Sequence, residues 1–120
     1  VPNILVVEDD ADVAGLIRLR LTGTGHQVAV APDGEAGMEA ARAEVPDLVI
    51  LDWMMPRKTG IEMCVELRAD DAFRGTKIMM LTARAKDTDR DRAYAAGADV
   101  YVTKPFSSRE LLTQVEQLLS

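Results

Sequence analysis

The sequence predicts an α/β protein built on a doubly wound, five-stranded parallel sheet, and two observations carry that prediction. Apolar runs of strand length recur along the chain as nearly continuous blocks, the pattern of parallel strands covered on both faces. Stretches of helical length separate them, giving five βα units in regular alternation. Right-handed crossovers then leave few topologies for such a chain.

The first strand is NILVV (3–7), followed by ADVAGLIRLRLT, where Val13, Leu16, Ile17 and Leu21 recur at helical spacing. Asp10, just before that helix, is expected to cap it. The second strand is QVAVA (27–31), with His26 read as a surface residue at its entrance. DLVIL (47–51) is the third. In the following GIEMCVELR, Cys64 reads as a small buried hydrophobe. KIMML (77–81) is the fourth strand and the short VYV (100–102) the fifth. Between them, KDTDRDRAYAA (86–96) offers only Tyr94 and alanines as apolar contacts, so this helix is expected to be weakly anchored, as elements that move are. The last helix carries Leu111, Leu112, Val115, Leu118 and Leu119 on one stripe. Its start, Ser107 followed three residues later by Glu110, has a capping-box pattern.

Residues 1–120 read as one domain, with short loops and no Pro/Ser-rich linker, repeat or low-complexity segment. With 48% hydrophobic and 28% charged residues, the balance is that of an ordinary globular chain. No apolar run approaches the roughly 20 residues that span a bilayer, so no membrane role is expected. The chain starts at Val1 without an initiator methionine, so the lack of a targeting signal carries no weight. A net charge of −6 without a basic stripe argues against direct nucleic-acid binding. Cys64 is the only cysteine, which excludes a disulfide framework and a thiolate metal cluster.

In open α/β sheets, ligands bind beyond the carboxyl ends of the strands. Strand one ends in Glu8, Asp9 and Asp10, strand three in Asp52, strand four in Thr82, and strand five in Thr103, Lys104 and Pro105. Each has an ordinary structural use taken singly: Thr82 as a helix-start residue, Lys104 as a solvated cation. Together they bring acids, a hydroxyl and an ammonium to one edge, and Asp52 is expected to face Glu8 and Asp9 on one side and Lys104 on the other. Crowded carboxylates repel unless a cation intervenes. Oxygen-only ligands suit a hard ion, and few protein ligands suit Mg²⁺, which keeps waters and substrate phosphate oxygens. A carboxylate beside Mg²⁺ and a lysine can attack phosphorus to give an aspartyl phosphate.

LVVEDD, VILDWMMP, LTAR and the GAD-x-Y-x-x-KPF pattern (97–106) together resemble the receiver domain of bacterial two-component response regulators, over essentially the whole chain. The resemblance implies a flavodoxin-like (βα)5 fold with strand order 2-1-3-4-5. It implies Asp52 as phosphoacceptor, Asp9 as direct Mg²⁺ ligand with Glu8 acting mainly through water, and the Met54 backbone carbonyl as a further ligand. Thr82 and Lys104 would bind the phosphoryl group, Ala83 would leave room for it, and Tyr101 would change rotamer with Thr82. The Lys104–Pro105 peptide would be cis, and Met54 and Arg84 would occupy positions that tune phosphoryl lifetime.

The family's activity implies a cytoplasmic signalling switch phosphorylated by a sensor histidine kinase. Such a domain catalyses its own phosphorylation and slow dephosphorylation and is not otherwise an enzyme. LTAR and KPFSSREL are most similar to the winged-helix (OmpR/PhoB) transcription-factor class, which implies control of transcription by an output domain beyond Ser120 and a homodimer through residues 86–119. Arg90 and Glu110 preserve one charge pair of that dimer, whereas Val100, Gln114, Ala95 and Glu116 depart from the others. The alternatives are a stand-alone regulator acting by protein contact, or a phosphatase of the haloacid-dehalogenase type. The latter needs a second Asp where Met54 stands. A flavodoxin-like FMN binder would want a phosphate loop where Glu8, Asp9 and Asp10 would repel the ligand.

Overall fold

The computed structural model describes residues 1–120 in full. In chain order the elements are β1 (Asn3–Val7), α1 (Ala11–Thr22), β2 (Gln27–Ala31), α2 (Gly34–Ala43), β3 (Leu48–Leu51), α3 (Gly60–Ala69), a 3₁₀ turn (Asp71–Phe73), β4 (Lys77–Thr82), α4 (Asp87–Ala96), β5 (Val100–Thr103) and α5 (Ser108–Leu119). The strands form one five-stranded sheet in the order β2-β1-β3-β4-β5. Every neighbouring pair is parallel. Both the expected fold class and the expected strand order are present.

The period-two alternation of the strands divides the core into two. Leu5, Val7, Val49, Leu51, Ile78 and Met80 face the side covered by α2, α3 and α4, where they pack with Met38, Met63, Cys64 and Leu67. Ile4, Val6, Leu48, Ile50, Met79 and Leu81 face the other side and meet Ile17 and Leu21 of α1 and Leu111 and Val115 of α5. Because both faces are covered, β3 is buried at every position, which is why its sequence is an unbroken apolar run.

Local signals act largely as the sequence reads. The Asp10 carboxylate accepts from the Asp12 and Val13 N–H groups and caps α1. Ser107 accepts from the Glu110 N–H, which is half of a capping box. The reciprocal pair forms instead at α3, between Thr59 and Glu62. Cys64 is fully buried, its thiol donating to the Ala96 carbonyl at 3.3 Å.

Two readings are corrected. Leu16 is 44% exposed, because the inward stripe of α1 runs through Ala14, Ile17 and Leu21 and turns Leu16 and Leu19 outward. His26 is not a surface side chain: only 7% of it is exposed. It folds back over the end of α1, with Nδ1 2.8 Å from the Thr24 hydroxyl and 3.3 Å from the Leu21 carbonyl.

α4 is as poorly anchored as expected. Ala93 is its only buried apolar residue, and no side chain caps its first turn. It ends at Gly97 in the left-handed region (φ 112°), where an added Cβ would strike the Arg68 side chain. Arg68 in turn binds the Gly97 carbonyl at 3.0 Å, the Thr76 carbonyl at 2.8 Å and the Asp99 carboxylate at 2.6 Å, joining α3 to the entrances of β4 and β5.

Candidate functional site

The register of the three central strands sets the site. Val7 lies beside Leu51, and Leu51 beside Met80, so the residues that follow each strand emerge together at the carboxyl edge. Thr82 pairs with Thr103 at the end of β4 and β5, which brings Lys104 to the same place. One carboxylate oxygen each from Glu8, Asp9 and Asp52 lies within 4.8 Å of the others. The Lys104 ammonium donates to Glu8 Oε1 at 2.8 Å and to Asp52 Oδ2 at 3.1 Å. Asp52 therefore faces Glu8 and Asp9 together with Lys104, as the sequence led one to expect, and Lys104 binds Glu8 as well. The Lys104–Pro105 peptide is cis.

Burial makes this cluster electrostatically tense. Glu8 is 5% exposed, and desolvation pushes its pKa up to about 7, against the pull of the Lys104 hydrogen bond and with the help of the Asp52 charge. Desolvation also works against the charged form of Lys104, yet its bonds to Glu8 and Asp52 outweigh that and hold its pKa above the ordinary value. The cluster thus has more negative charge than one ammonium balances. Its donor atoms are all oxygens, with neither imidazole nor thiolate among them, and this donor set fits a hard divalent cation such as Mg²⁺.

The remaining predicted residues line the same edge. Thr82 is 1% exposed, and its hydroxyl accepts from the Arg84 N–H at 3.3 Å. Ala83 is exposed beside it. Tyr101 is turned inward at 7% exposure, its hydroxyl donating to the Arg84 carbonyl at 2.6 Å, while its own N–H donates to the Tyr94 hydroxyl at 3.2 Å. Met54 is 57% exposed, and its sulfur accepts from the Arg84 guanidinium at 3.5 Å.

The segment after Asp52 is held on both flanks. On one, the Trp53 carbonyl accepts from Gly60 N–H at 2.9 Å, Arg57 pairs with buried Asp33 at 3.0 Å, and Lys58 pairs with Glu66. A side chain at Gly60 would collide with the Asp52 carbonyl, so only glycine lets α3 begin there. On the other flank, two guanidinium groups lie over the Trp53 ring, with the Arg84 carbon 4.6 Å and the Arg92 carbon 5.3 Å from its centroid. Arg84 also reaches Asp89, a 7% exposed carboxylate, at 3.1 Å. Sequence reasoning missed the Trp53–Arg84–Asp89–Arg92 group. The alternating acids and bases of DTDRDR read as a solvated face, and nothing in them showed that Asp89 binds an arginine lying over the indole that Arg92 also meets.

Farther along the edge, Arg90, Tyr101, Arg109, Glu110 and Gln114 border a groove of 370 Å³ between α4, β5 and α5. The Arg90 guanidinium stands 5.5 Å from the Tyr101 ring centroid.

A model of the response regulator receiver domain family matches residues 4–116. The chain is 42% identical over 118 residues to the phosphate regulon transcriptional regulatory protein PhoB of Rhizobium meliloti, covering 98% of this chain and 52% of that protein. It is 40% identical over 117 residues to the alkaline phosphatase synthesis transcriptional regulatory protein PhoP of Bacillus subtilis, covering 98% and 48% respectively. The chain therefore spans about half the length of the curated relatives it matches. Among solved structures, it superposes on the receiver domain of Francisella response regulator 1452 with a TM-score of 0.92 at 31% identity, over 99% of this chain and 97% of that one.

Proposed function

Because the chain belongs to the response regulator receiver domain family, whose members are phosphorylated by histidine kinases, we propose that Asp52 is its phosphoacceptor and that Mg²⁺ is held by Asp9, Asp52, the Met54 carbonyl and, through water, Glu8. The observation that carries this reading is the meeting of three carboxylates and one ammonium at a single strand edge. An Asp52 oxygen attacks phosphorus, a P–O bond forms, and the P–N bond to the donor's imidazole breaks, the ring leaving neutral with the bonding pair on the departing nitrogen and its proton on the other. Bound Mg²⁺ supplies charge neutralisation for the phosphoryl oxygens. Lys104, now bridging Glu8 and Asp52, can transfer a contact to a phosphoryl oxygen, and Thr82 supplies a hydroxyl donor from the neighbouring strand. The domain promotes its own phosphorylation and slow hydrolysis.

Phosphorylation shifts a face made of Thr82, α4, Tyr101 and the start of α5, and that face controls an output. The similarity to PhoB and PhoP supports a cytoplasmic regulator of transcription, with DNA contacted by a part of the protein other than this acidic domain. Asp52→Asn is the test: with acetyl phosphate and Mg²⁺, the parent should form a hydroxylamine-sensitive acyl phosphate and the variant none. Undiminished labelling of Asp52→Asn would refute the assignment.

A further inference from the structure

α4 buries one apolar residue, lacks a side-chain cap and leaves Tyr94 43% exposed. Packing of an apolar face is what ordinarily holds a short helix in place, so α4 depends on its polar ties. Two of these end on one indole. Arg92 stacks on Trp53 directly, and Asp89, one turn earlier on the helix, binds Arg84, which stacks on the same ring. Tryptophan is the aromatic that holds cations most strongly, and more so when water is excluded; Trp53 is 5% exposed. Two guanidinium groups on one ring repel each other, and the buried Asp89 carboxylate offsets that repulsion. Arg84 Nε is buried with no hydrogen-bond partner, so the stack and Asp89 do much to hold this guanidinium in place. Trp53 shares a peptide bond with Asp52.

From this arrangement we infer that Trp53 is a positioning residue: held by both Arg84 and Arg92, it docks α4 onto the segment beside Asp52 and passes that segment's state to the helix. The docking half stands on contacts alone. The transmission half rests on the reading of Asp52 as phosphoacceptor.

Amide hydrogen exchange of residues 87–96, measured on the whole chain without ligand, tests the docking. Loss of one stack should speed exchange about two- to fivefold, the factor that ~0.5–1 kcal/mol represents. Arg92→Gln should do so, Trp53→Leu should speed exchange at least as much because both stacks go with the indole, and Trp53→Phe should restore most of the protection because it keeps a π face. The double variant Arg92→Gln/Trp53→Leu should exchange no faster than Trp53→Leu alone. A merely structural role would give additive effects and no rescue by phenylalanine. Arg92→Gln alters an exposed helix position, so its result stands even if Trp53→Leu fails to fold. Exchange in α4 that is unchanged in Arg92→Gln, or additive in the pair, overturns the docking.

Beryllofluoride with Mg²⁺ then tests transmission by NMR. In the parent, Thr82, the Trp53 indole and α4 should shift together. In Trp53→Phe, Thr82 and α4 should still shift together, and in Arg92→Gln the Thr82 shift should persist while the α4 shift shrinks by half or more. A full α4 response in Arg92→Gln would overturn transmission. Silence of the Asp52 pocket in the parent would instead overturn the phosphoacceptor reading and transmission with it, leaving docking to be judged by the exchange data.

Discussion

Glu8 shows how much a few ångströms of burial change a carboxylate. Its pKa of about 7 in the metal-free protein, against an ordinary 4.5, means that the native state keeps a proton the unfolded chain has released. Stability contributed by this group is therefore full below pH 4.5 and lost as pH rises towards 7. Urea midpoints of metal-free protein should fall across that window, and Glu8→Gln should flatten the fall. An equal slope in the variant would show that Glu8 is not its source. The other residues divide their labour by charge. Asp9→Ala removes an anion and should weaken Mg²⁺ binding at least tenfold in a calorimetric titration. Lys104→Ala removes the cation from the cluster, so it should leave Mg²⁺ affinity intact or raised while slowing phosphoryl capture. Equal loss of Mg²⁺ binding in both would contradict this division. The site's chemical residues were legible because strand ends are legible: an apolar run that stops at an acid fixes where the acid emerges. His26 was not, because its burial comes from hydrogen bonds to Thr24 and Leu21, which follow no apolar pattern.

At the scale of elements, the helices differ in how they are held. α5 follows its sequence, burying Leu111 and Val115 with Leu112, Leu118 and Leu119 packed beside them. α1 departs from it at Leu16, because its inward stripe is narrower than the apolar pattern: small Ala14 takes part of the contact surface that Leu16 was expected to fill. α4 was legible as weak but not as tethered, since its tethers are side-chain stacks and ion pairs whose partners lie elsewhere in the chain. Its C-terminal stop is a sharp case. Gly97→Ala puts a Cβ in the left-handed region, which costs about 1–2 kcal/mol by itself, and drives it into Arg68. The urea midpoint should drop accordingly, and Gly25→Ala gives a useful comparison, since Gly25 also has positive φ but open space around it. If both variants lost equal stability, the Arg68 contact would contribute nothing.

For the whole molecule, the fold class was recoverable because alternation of elements and right-handed crossovers restrict the topology, and the strand order followed from the resemblance of LVVEDD, VILDWMMP, LTAR and the KPF pattern to receiver domains. Association is less determined. The groove between α4, β5 and α5 exposes Arg90, Arg109 and Glu110, yet the half-buried Val100 and Gln114 offer no charge where the family's dimer has it. Surface ion pairs contribute about 0–1 kcal/mol each, so fewer pairs mean a weaker dimer. Sedimentation with Mg²⁺ and beryllofluoride should show self-association that Arg90→Glu diminishes and that Arg90→Glu/Glu110→Arg restores. A charge swap without rescue would place the contact elsewhere.

The sheet that separates the two halves of the core also isolates them mechanically. Tyr101 belongs to the half with α4, and Val102, the next residue, to the half with α5. A displacement of α4 can therefore run its course on one side of a wall while the apolar packing beneath α5 stays as it was. β5, at the margin of that wall, has the core half that holds α4 on one face and the half that holds α5 on the other. On the proposed switch, the packing of Leu111 and Val115 against the sheet stays in place while α4 and the start of α5 shift beside it. A signal of this kind alters what can dock alongside the C-terminal helix, without asking that helix to unpack.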